Sequence, residues 1–294
     1  MKRTISTLAL LVALLPAVPS FGAEPDWKAV DQAFGVEGVP QPDGAHRYNF
    51  PRRDLNVMLD GVKIKPALAL GGWLVFLPMG DGVMVMGDLV LTGEEVNPVM
   101  RKLLGAGIEI TALHNHLLRS APATMYMHVG AHGDAVQLAK AFKAGLSESK
   151  VPFGPAPAAA PAAESPVKIT DLDALLRGKG RNNNGVYQYN FARAEVLKEG
   201  GMTLSNSLGA TTAINFQPTD GMKAAITGDF VLIGSEVNPV IAALHKNNIE
   251  VTALHNHMLN DEPRLFFMHF WANDDAGKLA KGLREALDKM NLAK

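Results

Sequence analysis

The stretch that decides the fold is Ile108-Glu109-Ile110-Thr111-Ala112-Leu113-His114-Asn115-His116-Leu117-Leu118. It returns 141 positions later as Ile249-Glu250-Val251-Thr252-Ala253-Leu254-His255-Asn256-His257-Met258-Leu259, with exchanges only at Ile110/Val251 and Leu117/Met258. The same shift, without a gap, carries Gly87-Asp88 onto Gly228-Asp229, Glu95 onto Glu236, Asn97-Pro98 onto Asn238-Pro239, His128 onto His269 and Asp134 onto Asp275. Tyr48-Asn49-Phe50-Pro51-Arg52 likewise meets Tyr189-Asn190-Phe191-Ala192-Arg193. Two repeats are too few for a solenoid, which needs several units to bury a continuous core. The predicted architecture is therefore two pseudo-symmetric copies of one α+β domain, over 24–150 and 167–294, joined by a Pro/Ala-rich, semi-rigid linker at 151–166.

The start of the chain predicts export. Lys2-Arg3 leads into an apolar run from Ile5 to Val18, and the small residues Ser20 and Gly22 offer a cleavage site before Glu24, so 1–23 reads as a signal peptide and the product as periplasmic or secreted. The apolar run is short for a membrane span, and no stable insertion is expected. The chain has no cysteine, which excludes disulfides, thiolate metal sites and Cys nucleophiles. A net charge of −1, without a Lys/Arg stripe, argues against nucleic acid and leaves a small molecule or a metal ion as the expected partner.

Within the first copy, Asp26 to Phe34 reads as a helix, while Leu68 to Leu77 and Val83 to Leu91 read as strands bounded by glycines. Asn97-Pro98 suits an N-cap and first helical position, for a helix ending near Gly105-Ala106-Gly107. Ile108 to Leu117 reads as a strand, Thr124 to Val129 as its hairpin partner, and Asp134 as the cap of a helix reaching Leu146.

The chemistry gathers on that hairpin. Side chains alternate along a strand, so His114 and His116 share one face. A hairpin folded about Ala121 sets His128 directly opposite His114, with Cβ atoms roughly 5 Å apart, and the second copy repeats this with His255, His257 and His269. Six of the nine histidines are then candidate metal ligands, three per copy, for a divalent transition metal: zinc first, copper as an alternative. The competing reading is a polar strand face hydrogen-bonded to its own loops.

Glu95 and Glu236, placed by this reading in a strand-to-helix loop, are candidate general bases, or else charges that favour the helix N-terminus. Asp88 and Asp229 follow a glycine inside a strand pattern, a position that suggests a bulge re-aiming the carboxylate. Asn49 with Arg52, and Asn190 with Arg193, are candidates to hold an anionic or carbohydrate-like ligand, with surface salt bridges as the alternative. Met84, Met86, Met125 and Met127 alternate along strands and read as core rather than as a copper(I) site. Tyr126, Gly130 and His132 are matched by Phe267, Trp271 and Asn273, which predicts a more enclosed second site and unequal affinities.

The strings Gly87-Asp88, Glu95-Val96-Asn97-Pro98-Val99, Thr111-Ala112-Leu113-His114-Asn115-His116 and Met127-His128, each duplicated, resemble the DUF1259 family, also called the LppY/LpqO family. The resemblance spans essentially the whole mature chain and implies no particular reaction. Some members are lipoproteins, and this chain departs from them in having no cysteine to carry lipid. Two functional classes follow from the sequence: a metal-binding exported protein, hydrolase or oxidoreductase, and a non-enzymatic module holding a small ligand in a cleft between the repeats.

Overall fold

The computed structural model describes residues 24–154 and 165–293. The expected leader and the middle of the linker lie outside the described residues. The first half runs α1 (Trp27–Phe34), β1 (Val39–Pro40), β2 (His46–Pro51), β3 (Met58–Leu59), β4 (Val62–Lys63), α2 (Pro66–Ala69), β5 (Gly71–Met79), β6 (Gly82–Thr92), α3 (Gly93–Leu104), β7 (Glu109–His114), β8 (Thr124–Gly133) and α4 (Ala135–Leu146). The second half follows with α5 (Ile169–Leu176), β9 (Arg181–Asn183), β10 (Val186–Phe191), β11 (Lys198–Glu199), β12 (Met202–Thr203), a 3-10 turn (Asn206–Leu208), β13 (Thr212–Pro218), β14 (Lys223–Ile233), α6 (Gly234–Lys246), β15 (Glu250–His255), β16 (Asp261–Glu262), β17 (Leu265–Asp275) and α7 (Ala276–Leu287).

Each half builds one antiparallel six-stranded sheet, ordered β1-β2-β5-β6-β8-β7 and β9-β10-β13-β14-β17-β15. The orders are the same, as the duplication predicts. The register exposes one local departure: Leu74, between Tyr48 and Gly87, is matched by Ile214, between Tyr189 and Gly228, so the offset is 140 here and 141 on either side.

Alternation along the strands divides each sheet into two apolar faces. In the first, Tyr48, Phe50, Leu74, Phe76, Leu89, Met127 and Val129 face outward onto α1, α3 and α4. The second sheet does the same with Tyr189, Ile214, Phe216, Phe230, Met268 and Phe270 against α5, α6 and α7. Asp26, Asp134 and Asp275 cap their helices, accepting from the N–H groups of Ala29, Gln137 and Lys278. Asn97 and Pro98 are not at a helix start. The helix begins four residues earlier, at Gly93, because Glu95 reaches back to the Thr92 N–H at 2.8 Å, and Glu236 does so to Ile233 at 3.0 Å. Pro98 and Pro239 then sit in the second turn.

The inner faces of the sheets are turned toward each other, giving a layer order of helices, sheet, sheet, helices. Two crossed flaps fill the ends of this middle space. Val57, Leu59, Ile64 and Leu68 of the first half pack with Ala225 and Trp271 of the second, while Leu197, Leu204 and Leu208 pack with Val75, Met84 and Met86 of the first. Polar groups fasten the crossing. Gln217 accepts from the Lys65 N–H at 2.9 Å and donates to the Lys63 carbonyl at 2.8 Å, and the Trp271 Nε1–H donates to Asp60 at 3.0 Å. Trp271 therefore serves the flap of the first half rather than enclosing a separate second site.

Arg52 and Arg193, expected to hold a ligand, are instead the internal braces of their halves. The Arg52 side chain is fully buried and bidentate to Glu95 at 2.6 and 3.1 Å; it also bonds Asp54 and the Val90 carbonyl. Arg193 repeats this with Glu236 at 2.6 and 3.0 Å, Glu195 and the Val231 carbonyl. Glu95 also accepts from the Lys150 N–H, and Glu236 from the Asn291 N–H, so the acceptor positions of both carboxylates are filled from within the chain. Burial alone would raise these carboxyl pKa values, and the arginine with the backbone donors more than reverses it, holding both below the usual range. The general-base role expected for Glu95 and Glu236 gives way to a structural one: each ties α3 or α6 to β2 or β10 and to the chain beyond the last helix. Removing one partner of a buried ion pair typically costs about 3–5 kcal/mol. Glu95→Ala should therefore lower the unfolding free energy in urea titrations by that order while leaving the histidine centre intact, so that metal bound per folded molecule is unchanged.

Candidate metal centre

Between the flaps, the middle space is polar. The ladder places Asn49, Trp73, Asp88, His128 and Ala112 in one row across the first sheet, and Asn190, Ala213, Asp229, His269 and Ala253 in the matching row of the second. Cross-strand neighbours share a face, so Asp88 and Asp229 project inward beside the histidines. No bulge occurs at Gly87-Asp88. The bulges are in β7 between Ile110 and Ala112, and in β15 between Val251 and Ala253.

Those bulges correct the expected hairpin register. His128 stands opposite Ala112, and His114 opposite Tyr126, two residues from the predicted pairing. Because the slip is even, His114 and His128 still share a face, with ring centroids 5.1 Å apart. The bulges also join the halves. Thr111 is left unpaired in the ladder, and its carbonyl accepts from Asn256 Nδ2 at 3.0 Å; Thr252, its counterpart, donates from Oγ1 to the His116 carbonyl at 2.6 Å. The middle residue of His255-Asn256-His257 is thus a staple between the halves. His116 and His257 lie just past their strands, in the loop that this stapling holds.

The six imidazoles form one group. His114 and His255, equivalent by the duplication, stack on each other at 3.5 Å, which places the pseudo-twofold axis between them. His116 is layered between Tyr126 at 3.3 Å and His269 at 3.6 Å, and His257 between Phe267 at 3.4 Å and His128 at 3.7 Å. Donor atoms close enough to share one ion come from both halves: His114, His128 and His255 make one such set, and His114, His116 and His269 another. Asp229, His255, His257 and His269 make a third within the second half. The second-half trio His255, His257 and His269 is therefore gathered as expected, with Asp229 beside it, whereas both sets that contain His114 draw on the two halves, so the expected first-copy trio does not stand apart as a site of its own.

Hydrogen bonds hold the Nδ1 side of three of the rings, the Nε2 side of all six is empty, and His114 has no partner at either nitrogen. The Nδ1 of His269 lies 2.7 Å from the Gly228 carbonyl, that of His255 3.0 Å from the Asn256 carbonyl, and Gly87 serves His128 in the same way. Such bonds place the proton on Nδ1 and leave Nε2 as a lone pair. The Nε2 atoms of all six histidines are buried without a hydrogen-bond partner, and so is one oxygen of each of Asp88 and Asp229. His257 Nε2 approaches Asp229 Oδ2 to 3.1 Å without meeting hydrogen-bond geometry. Unpaired buried polar atoms are individually costly and rare, so this cluster of them, which contains three sets of donors close enough to share an ion, marks a place built to hold something.

Electrostatics agree. Burial, reinforced by neighbouring imidazoles, pushes the pKa values of His114, His116, His128 and His257 far down and that of His269 to about 3; burial also lowers His255. All six are neutral at pH 7 and so able to act as ligands. Burial raises both aspartates, and Asp229 raises Asp88 further. Two buried carboxylates among neutral imidazoles want a cation. Of the remaining sequence candidates, Asn49 is exposed and accepts from Arg47 Nε at 3.0 Å, and Asn190 is exposed at the end of its own row. Asp88 and Asp229, expected from the sequence at a bulge, are the acidic residues the fold delivers to the centre.

The lowered histidines dictate a pH dependence for the metal-free protein. Below about 6.5 the unfolded chain takes up protons that the folded centre refuses, so stability falls as pH falls, by up to about 1.4 kcal/mol per pH unit for each histidine. The two raised aspartates act in the opposite sense, but they are two groups against six. Urea midpoints of metal-free protein should drop clearly between pH 7.5 and pH 5.5. A flat profile would mean that the imidazoles are not buried neutral.

A family model described as Domain of Unknown Function (DUF1259) matches residues 28–148 and again residues 170–289. No curated protein matches the chain. Among solved structures, the chain is similar to a trimeric bacterial microcompartment shell protein, PduB, at 11% identity, 86% coverage of this chain, 89% of that one and a TM-score of 0.22. It is also similar to EtuB from Clostridium kluyveri, at 10% identity, 85% and 88% coverage and a TM-score of 0.20. The two family matches fall on the two sheets with their helices, one on each side of the histidine centre, and the chain belongs to the DUF1259 family, whose domain it carries twice.

Proposed function

We propose that this protein binds a transition metal in one centre shared by its two halves, drawing ligands from His114, His116, His128, His255, His257, His269, Asp88 and Asp229. The observation that carries the reading is the set of eight buried donor atoms left without hydrogen-bond partners. A ligand set of imidazole and carboxylate without thiolate suits Zn²⁺ or Cu²⁺. Ring nitrogens already oriented by backbone carbonyls supply the outer contacts that metal-ligating histidines require. A centre free of oxidisable thiols also fits an exported protein, in line with the leader expected at 1–23, and no helix among the described residues is long and apolar enough to cross a membrane.

Sharing is the testable feature. Protein purified without an affinity tag should contain stoichiometric metal by elemental analysis, and adding metal to the stripped protein should raise its melting temperature. In a shared centre, His114→Ala and His257→Ala should each weaken all of the metal binding, by tenfold or more. If each variant instead keeps half of the metal at the original affinity, the two halves bind independently. No metal uptake by the stripped wild-type protein would remove the reading altogether.

A further inference from the structure

On the inner side of the sheets lie two guanidinium groups, one from each half, that form no salt bridge among the described residues. Arg47 stands on β2 two residues before Asn49, hence on the same inner face. Its guanidinium lies 4.4 Å over the Trp73 ring, and its Nε donates to Asn49 Oδ1. Its terminal nitrogens have no hydrogen-bond partner among the described residues. Arg181 of β9 is near enough to repel it, and Asp88 is the one carboxylate acting on it. Burial, with that like charge, draws the Arg47 pKa down to about 10. Among the described residues neither arginine forms a salt bridge, whereas Arg52 and Arg193 are each paired with two carboxylates.

The fold does not require this charge. Gln188 takes the place of Arg47 in the second half and is satisfied by donating to the Ala67 carbonyl at 3.0 Å. Trp73, which carries the guanidinium, is matched by Ala213. Two like charges within electrostatic reach of each other, neither in a salt bridge among the described residues and with the terminal nitrogens of Arg47 left free, form an arrangement that an oxyanion completes through bidentate, charge-assisted hydrogen bonds. Position gives the arrangement its use. Asn49 and Asp88 belong to the same ladder row two strands apart, which is roughly 10 Å.

We propose that Arg47 and Arg181, with Asn49 and the Trp73 ring, form a binding site for a small oxyanion, a carboxylate or phosphate group, at the approach to the histidine centre. Its role as the entry of an anionic substrate or co-ligand rests on the metal reading above; the anion site itself does not. The ligand-holding function expected of Arg52 passes to Arg47, five residues earlier on the same segment.

Calorimetric titration of inorganic phosphate, and separately of acetate, into the full chain in metal-free and metal-loaded form tests this. At least one of the two should bind saturably in both forms. Arg47→Gln, which copies Gln188 and so should fold, and Arg181→Gln should each weaken that binding on the order of tenfold, with metal content unchanged. Phosphate rather than acetate as the tighter ligand would identify a tetrahedral oxyanion, and the reverse a carboxylate. His257→Ala, which weakens metal binding, should keep the anion affinity of the metal-free protein, so the two readings fail separately. Wild-type affinity in both arginine variants would overturn the proposal. So would the absence of saturable binding by either anion, or binding that appears only with metal and ignores both arginines.

Discussion

Everything in the middle layer follows from one constraint: six imidazoles must be kept neutral, close and dry. Stacked rings 3.5 to 3.7 Å apart tolerate no positive charge on either partner, because like charges at that separation repel strongly in a medium of low polarity. The protein enforces neutrality by excluding water. Flap residues Val57, Leu59 and Ile64 seal one end of the space between the sheets, and Leu197, Leu204 and Leu208 seal the other. Since each flap packs on the opposite half's sheet, neither half can close its own share of the centre. The crossed flaps and the shared centre are two consequences of the same packing.

Much of this was legible in the sequence. The repeated eleven-residue string gave away the duplication, and strand periodicity put the histidines on one face, a conclusion that survived the two-residue register slip because strand faces repeat every second residue. The bulge causing the slip was not legible: Thr111 and Thr252 suit a regular strand as well as a bulge, and what selects the bulge is a bond to the other half. The glutamates misled for a related reason. Glu95 reads as a loop carboxylate when Asn97-Pro98 is taken as the helix start, yet Thr92 followed three residues later by Glu95 is itself an N-terminal signal. That signal, weighed against the proline, would have moved Glu95 into the helix and toward Arg52. Glycine before Asp88 suggested a bulge, where its real part is clearance: a Cβ at Gly87 would lie 2.6 Å from the Trp73 carbonyl oxygen, and one at Gly228 2.0 Å from that of Ala213.

What no single-chain pattern could show was the relation between halves. Asn256, Thr252, Gln217 and Trp271 all spend their polar groups across the boundary. From the sequence alone, each of these residues has an equally good local explanation as a cap, strand or turn residue. Only the facing of the two inner sheet surfaces turns them into fasteners, and that facing is decided by apolar area and flap geometry rather than by any short string.

A duplicated chain can also do what a symmetric homodimer cannot. In a homodimer, any residue placed beside a centre on the twofold axis appears twice, so a charge introduced on one side is introduced on both. Here the centre keeps its symmetry in the six histidines and two aspartates, while its surroundings have diverged: Trp73 faces Ala213 in role, Arg47 faces Gln188, Gly130 faces Trp271. Duplicating Arg47 at position 188 would displace the Gln188 bond to Ala67 that holds the first flap. Fusion therefore lets one side of a symmetric cluster acquire positive charge while the other retains its structural bond, and a symmetric ligand set gains a single polar direction along which an anion can approach.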